Sequence, residues 1–175
     1  MKRREFLLVG SAAMLMPSAA FAQQVRDKVD VLVIGAGGAG LSAAIVAKDA
    51  GANVLVVEKM PIVGGNTQLA AGGMNVAASR LQDQKGIKDD WKSMYDDTLK
   101  GGGGTNQAEL VEILCRESNA AAEWLISLGA ELPGLVRFAG MSRDRALQPT
   151  GSLNFGPYIT KVLFENANKR QIPIR

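Results

Sequence analysis

The first ordered pattern in the chain is "VDVLVIG", Val29 to Gly35, a nearly unbroken apolar run of strand length. It leads into "AGLSAAIVAKDAG", whose small and apolar residues recur at helical spacing up to Gly51, and then into a second short apolar run, "NVLVVE". The first run predicts a buried strand, and two all-apolar strands flanking one helix predict a parallel βαβ unit with a right-handed crossover. Further on, Trp91, Met94, Tyr95 and Leu99 fall on one helical face, and so do Leu110, Ile113, Leu114, Trp124, Leu125 and Leu128. Asn106 followed by Glu109 reads as a variant capping box that opens the second of these helices. The four glycines 101–104 read as a flexible joint rather than a phosphate cradle, because no strand precedes them. An irregular stretch, "PGLVRFAGMSRDRALQPTGS", leads to "PYITKVLFENANKR", a helix with Pro157 in its first turn, and "QIPIR" reads as the opening of one more strand. A strand that opens at the last residues is the expectation for the N-terminal part of a longer protein.

The first residues differ in kind. "MKRREFLLVGSAAMLMPSAAFAQQ" combines a basic start, an apolar middle shorter than a membrane span, and Ala20 and Ala22 in an A-x-A arrangement. Residues 1–22 therefore read as a cleaved signal peptide. The paired Arg3 and Arg4 followed by "EFL" resemble the twin-arginine signal, which exports folded proteins and suits one that acquires its cofactor before export to the periplasm. Residues 23–175 are then left as the start of a dinucleotide-binding domain.

Composition narrows the function by exclusion. The chain is 175 residues, 47% hydrophobic and 21% charged, an ordinary globular balance. Its formal charge of +3 falls to about +1 without the leader's Lys2, Arg3, Arg4 and Glu5, which is too little to argue for nucleic acid or an anionic membrane. The absence of histidine removes Ser-His and Cys-His nucleophile pairs, haem attachment of the C-x-x-C-H kind and Cys2His2 zinc sites. The single cysteine, Cys115, reads as a small half-buried hydrophobe, because no cation cluster lies near it to favour a thiolate. No metal site is expected, and any redox chemistry has to come from an organic cofactor or a group that these residues do not contain.

The chemistry sits in two glycine runs. Gly35, Gly37 and Gly40, with Gly38 and Ala39 between, have the G-x-G-x-x-G spacing directly between a strand and a helix. The first glycine permits the turn, the second admits a pyrophosphate to the backbone, and the third brings helix and strand together. Glu58 follows Gly40 by eighteen residues at the end of the second strand, where an acid accepts the ribose hydroxyls and disfavours a 2′-phosphate, making NADP the least suitable ligand. The second run, "GGNTQLAAGGMN", places Gly64, Gly65, Gly72 and Gly73 around Asn66, Thr67 and Gln68, where a simple NAD enzyme would begin another helix. Glycines let backbone pass close to a flat ligand, and short polar groups meet its ring edge, so FAD is favoured over NAD.

Taken in order, "GAGGAGLSAA", "VVEKMPIVGGNTQLAAGGMN", "DDTLKGG", "AELVEIL", "EWLISLGAEL" and "QPTG" resemble the flavoprotein of the fumarate reductase and succinate dehydrogenase family, in its soluble periplasmic flavocytochrome c branch. The resemblance implies a doubly wound α/β FAD-binding fold of Rossmann type, incomplete at its C-terminus. It also implies FAD contacts at Ala39 and Gly40 on the pyrophosphate, at Glu58 and Lys59 on the ribose, and at Gly65, Asn66, Thr67, Ala71, Gly72 and Gly73 along the flavin. Gly73 and Phe138 would lie by the substrate. The implied reaction is reduction of a carbon-carbon double bond conjugated to a carboxylate, by hydride transfer from flavin N5.

The arginines and histidines that complete that chemistry in the family belong to a capping domain and a C-terminal segment beyond Arg175, so no catalytic residue is expected in these 175 residues and the fragment alone is expected to be inactive. Arg137, Arg143 and Arg145 read as solvated surface arginines. Where the family often has R-x-H-R-P-T-G, this chain has "RALQPTG", with Leu147 and Gln148 in place of histidine and arginine, which leaves fumarate, methacrylate and urocanate all open as substrates. Because the leader runs almost directly into the flavin fold, no haem domain is expected ahead of it, and electrons would come from a separate cytochrome or a quinol-linked partner. The competing readings are a non-enzymatic flavin-binding electron-transfer module and, behind it, an NAD-dependent dehydrogenase.

Overall fold

The computed structural model describes residues 28–151 and 154–175; the leader expected at residues 1–22 lies outside them. Strand β1 (Val31–Ile34) and strand β2 (Val54–Val57) pair in parallel, with Val31 opposite Val54 and Ile34 opposite Val57. Helix α1 (Gly38–Asp49) joins them, as the hydrophobic pattern requires. Val56 also forms a parallel bridge to Ile174: its N–H donates to the Pro173 carbonyl, and the Arg175 N–H donates back to the Val56 carbonyl. The terminal "QIPIR" thus enters the sheet beside β2, which becomes its central strand.

Everything between β2 and that bridge is inserted into one crossover. A 3-10 turn (Gly65–Leu69) is followed by β3 (Met74–Asn75), α2 (Arg80–Gln84), α3 (Trp91–Gly101), α4 (Ala108–Ser127), β4 (Gly134–Val136), β5 (Ala146–Gln148) and α5 (Phe155–Lys169). Helix α5 packs along α1, and the pair covers one face of the parallel sheet. Leu41, Ala44 and Ile45 of α1 meet Ile159, Val162 and Leu163 of α5 over Val54 and Val56, all buried in one cluster. Asp49 at the end of α1 takes two bonds from the Arg170 guanidinium just past α5, at 2.6 and 2.9 Å, which pins the two helix ends together. The opposite face presents Leu32 and Ile34 of β1 at 54% and 83% exposure, so β1 is not the buried strand its apolar run predicts: α1 and α5 cover only one side of it.

A second layer stands on β5. The strand lies between β3 and β4, antiparallel to both, with Leu147 opposite Met74 and Leu135. This small sheet was not legible in the sequence, because strands of two or three residues carry no measurable period of two. Helices α3 and α4 pack together around a separate buried cluster of Ala77, Met94, Val111 and Cys115. Burial pushes the Cys115 thiol above its ordinary value, as suits a packed hydrophobe.

Two further expectations are corrected. Asn106 does not cap α4; the helix begins one residue later, with an extended Gln107 as its uncapped N-cap, so Glu109 stands second in the first turn and cannot close a capping box. Asn106 folds back against Gly102 instead. The capping box of this chain is at α2, where Ser79 and Gln82 satisfy each other's backbone N–H groups. The second correction is Arg145, which is not a surface arginine. It is 1% exposed, bonded through two nitrogens to Asp89 at 2.8 and 3.0 Å and by a third to Asp97 at 2.9 Å. Burial alone would raise the Asp97 carboxyl, but bonds from Ser142 and the Arg145 charge hold it below the ordinary value. Arg137, by contrast, is an exposed partner of Asp144, and Arg143 is exposed as expected.

Candidate functional site: two glycine runs and one acid

The turn between β1 and α1 is built as the spacing predicts. Gly35 adopts φ +98°, and a Cβ on Gly40 would stand 1.9 Å from the Gly35 carbonyl oxygen, so the third glycine is what allows α1 to approach the strand. The first helix bond is from Leu41 N to the Gly37 carbonyl, at 2.9 Å. Among the described residues the N–H groups of Ala39 and Gly40 have no partner, which leaves two donors at the positive end of a 12-residue helix. Such a terminus suits an anion such as a pyrophosphate.

Glu58 is turned back onto the same loop. Its Oε2 accepts the Ala36 N–H at 2.7 Å and its Oε1 accepts the Met60 N–H at 2.9 Å. Those bonds, the one from Ala36 foremost, hold its carboxyl below the usual glutamate range. A carboxylate has about four acceptor positions, so Glu58 remains able to receive a hydroxyl. Lys59 beside it is exposed.

The second glycine run is stitched to the first. Gly64 N donates to the Ala36 carbonyl at 2.8 Å, Gly37 and Gly64 form a parallel bridge, and Gly38 N donates to Thr67 Oγ1 at 3.1 Å. The 3-10 turn Gly65–Leu69 thereby sits directly over the N-terminus of α1. Gly65 and Asn66 in the turn, and Ala71 just beyond it, are exposed. Beyond the turn, Gly72 has φ +81° and lies against the Phe138 ring, whose atoms would be 3.4 Å from a Cβ there. The expected adenosine, pyrophosphate and flavin-side residues thus follow one path of chain, from the α1 terminus over the 3-10 turn to Gly72, where the Phe138 ring lies.

Sequence reasoning missed two residues that shape this path. Gly156, in the first turn of α5, donates its N–H to the Ala70 carbonyl at 2.9 Å and lies so close to the 3-10 turn that a Cβ would be 2.0 Å from the Thr67 carbonyl oxygen. Gln148 donates from Nε2 to the Gly72 carbonyl at 3.1 Å. Gly156 stands one residue before Pro157, a pairing that invites reading as a helix start and conceals its packing role. Gln148 was noticed only as a departure from the family pattern.

A parallel sheet, a glycine-rich strand-to-helix turn, free helix-terminal donors and an acid at the end of the next strand define a dinucleotide-binding α/β domain. The chain belongs to the FAD binding domain family, which it matches over residues 30–175. It is 45% identical over 157 residues to a fumarate reductase (cytochrome) of Shewanella frigidimarina, an alignment covering 90% of this chain and 28% of that protein. A urocanate reductase of Eggerthella lenta is 42% identical over 130 residues, 73% of this chain and 22% of the relative. The solved open conformation of a flavocytochrome c3 fumarate reductase superposes with a TM-score of 0.81 at 37% identity, over 100% of this chain and 29% of that one. The chain thus spans less than a third of the length of these relatives. Its cofactor is FAD, and the residues present fit it: the unpartnered Ala39 and Gly40 donors suit a pyrophosphate, and Glu58 suits a ribose. The NAD reading is thereby set aside.

Proposed function

We propose that this chain is the FAD-holding part of an exported oxidoreductase that reduces the carbon-carbon double bond of fumarate or a related unsaturated carboxylate. The observation that carries this reading is the stitched pair of glycine runs, in which Gly38 N bonds Thr67 and Gly64 N bonds the Ala36 carbonyl. A loop so placed extends the cofactor path past the pyrophosphate, which a dinucleotide longer at its redox end requires. The 45% identity to a fumarate reductase supports the same substrate class.

In this reading the N-terminus of α1 holds the pyrophosphate through Ala39 and Gly40, with Gly35, Gly37 and Gly38 shaping the turn. Glu58 and Lys59 receive the ribose. Gly65, Asn66, Thr67, Ala71, Gly72 and Gly73 follow the flavin, and Gly73 with Phe138 borders the substrate. Bound FAD supplies the hydride for the alkene. The half-exposed Phe138 ring shields that end of the path from water on one side. Proton donation and carboxylate clamping fall to residues of a capping domain that these 175 residues do not include. Residues 1–22 act as a twin-arginine leader directing the protein to the periplasm, where a separate cytochrome or quinol-linked protein donates electrons. Among the described residues no helix is long and apolar enough to cross a membrane.

The test uses the full-length gene product purified with FAD. Anaerobic reoxidation of reduced methyl viologen is followed on adding fumarate, urocanate, methacrylate or acrylate in turn. Turnover with one of these acids is expected; a flavin-loaded protein inert toward all four would refute the reading.

A further inference from the structure

We propose that Gln148 is a positioning residue that aims the Gly73 N–H at the flavin ring and so helps to set the reduction potential of the bound cofactor; the proposal rests on the FAD reading. Three observations converge on it. The first is the bond from Gln148 Nε2 to the Gly72 carbonyl, 3.1 Å long. A trans peptide places its C=O and the following N–H on opposite sides, so a carbonyl drawn toward Gln148 turns the Gly73 N–H away from it.

The second is the strand register. Val76 N donates to the carbonyl of Arg145, the residue just before β5, and Met74 pairs with Leu147. Backbone groups alternate in direction along a strand, so Gly73 is the residue whose N–H faces away from β5. Since β3 is the edge strand of the order β3-β5-β4, that N–H emerges on an open edge, and it has no partner among the described residues. A lone backbone donor on such an edge suits an acceptor atom on a ligand.

The third is the space reserved for the glutamine. Its stem runs between two glycines: a Cβ on Gly73 would be 3.2 Å from Gln148 Cγ and 2.4 Å from the Leu147 carbonyl oxygen, and a Cβ on Gly134 would be 2.9 Å from Gln148 Cβ. Neither neighbour tolerates a side chain there without displacing β5. Phe138 closes the other side of Gly72, so the Gly72–Gly73 peptide is held from two directions.

A donor fixed at the ring edge favours the more electron-rich reduced flavin, so releasing it lowers the potential. In full-length protein Gln148→Met keeps the length and removes the donor. Loss of one hydrogen bond is expected to weaken FAD binding about fivefold. Where that loss falls on the reduced form, the two-electron midpoint drops by about 20 mV, at about 30 mV per tenfold. A merely structural role would lower the melting temperature and leave the potential in place. A folded Gln148→Met protein with the wild-type potential overturns the proposal, whatever its FAD affinity. A second measurement needs no variant: amide exchange at Gly73 in the wild-type protein, with and without FAD, is expected to slow at least tenfold on binding, and an unchanged rate overturns it as well. Wild-type protein that takes up no FAD overturns both this proposal and the reading on which it rests, whereas normal uptake with an indifferent Gln148→Met overturns this one alone.

Discussion

Gly156→Ala gives two physical arguments opposite signs. Gly156 lies in the first turn of a 15-residue helix, and by propensity alone alanine there stabilises the helix by about 1 kcal/mol. The packing argues otherwise. A methyl group would stand 2.0 Å from the Thr67 carbonyl oxygen, 2.5 Å from that of Ala70 and 2.9 Å from Ala70 N. All three are backbone atoms, so relief requires the 3-10 turn or the end of α5 to retreat by about 1 Å rather than a side chain to rotate. Overpacking of this kind costs about 1–3 kcal/mol, and the Gly156 N to Ala70 carbonyl bond, 2.9 Å long, is strained or lost with it. A net loss of stability is expected, together with FAD binding weaker by about tenfold, because the displaced turn carries Thr67 and the path toward Gly72. Denaturant unfolding and fluorescence titration of FAD into the flavin-free, full-length variant measure the two effects. A variant more stable than wild type with unchanged FAD affinity would refute the reasoning, since it would mean that helix propensity outweighs the contact.

Two other expectations test separate parts of the structure. Arg145→Leu leaves Asp89, whose side chain is fully buried, facing Asp97 without the charge between them, and a loss of about 3–5 kcal/mol in denaturant unfolding is expected; a cost under 1 kcal/mol would show that the triad is dispensable. Glu58 is held below its ordinary value of 4.5, so what its ionised form contributes is present above that pH and disappears as the pH falls through the lower, folded value. FAD affinity is therefore expected to be flat from pH 8 to about 5 and to decline only in more acid solution, whereas a decline centred near pH 6 would exclude Glu58 as its source.

Much of the site was readable in one dimension because its logic is local. A strand, a glycine turn, a helix N-terminus and an acid on the next strand occupy Val31 to Glu58, and each depends on neighbours a few residues away. The period of the apolar residues located β1, α1, β2 and the long helices α3, α4 and α5. It failed at Asn106, where the backbone of Gln107 took the cap position, and at β3, β4 and β5, which are too short to show a period.

By itself, the amino-acid order pointed to a dinucleotide and to an acid placed beside its turn, since glycines at fixed spacing and one carboxylate suffice to describe such a turn. Tertiary structure decided how the second glycine run is held. Its supports are Thr67 on Gly38, Gly156 against Ala70 and Gln148 on Gly72, joined across 29, 86 and 76 residues of chain. Contacts of that separation leave no spacing to read, because they arise only once a parallel sheet has placed α5 beside α1 and a small antiparallel sheet has laid β5 along the glycines. The buried Arg145 follows the same logic: charge suggested the surface, and only Asp89 and Asp97, brought 56 and 48 residues back along the chain, make its burial affordable.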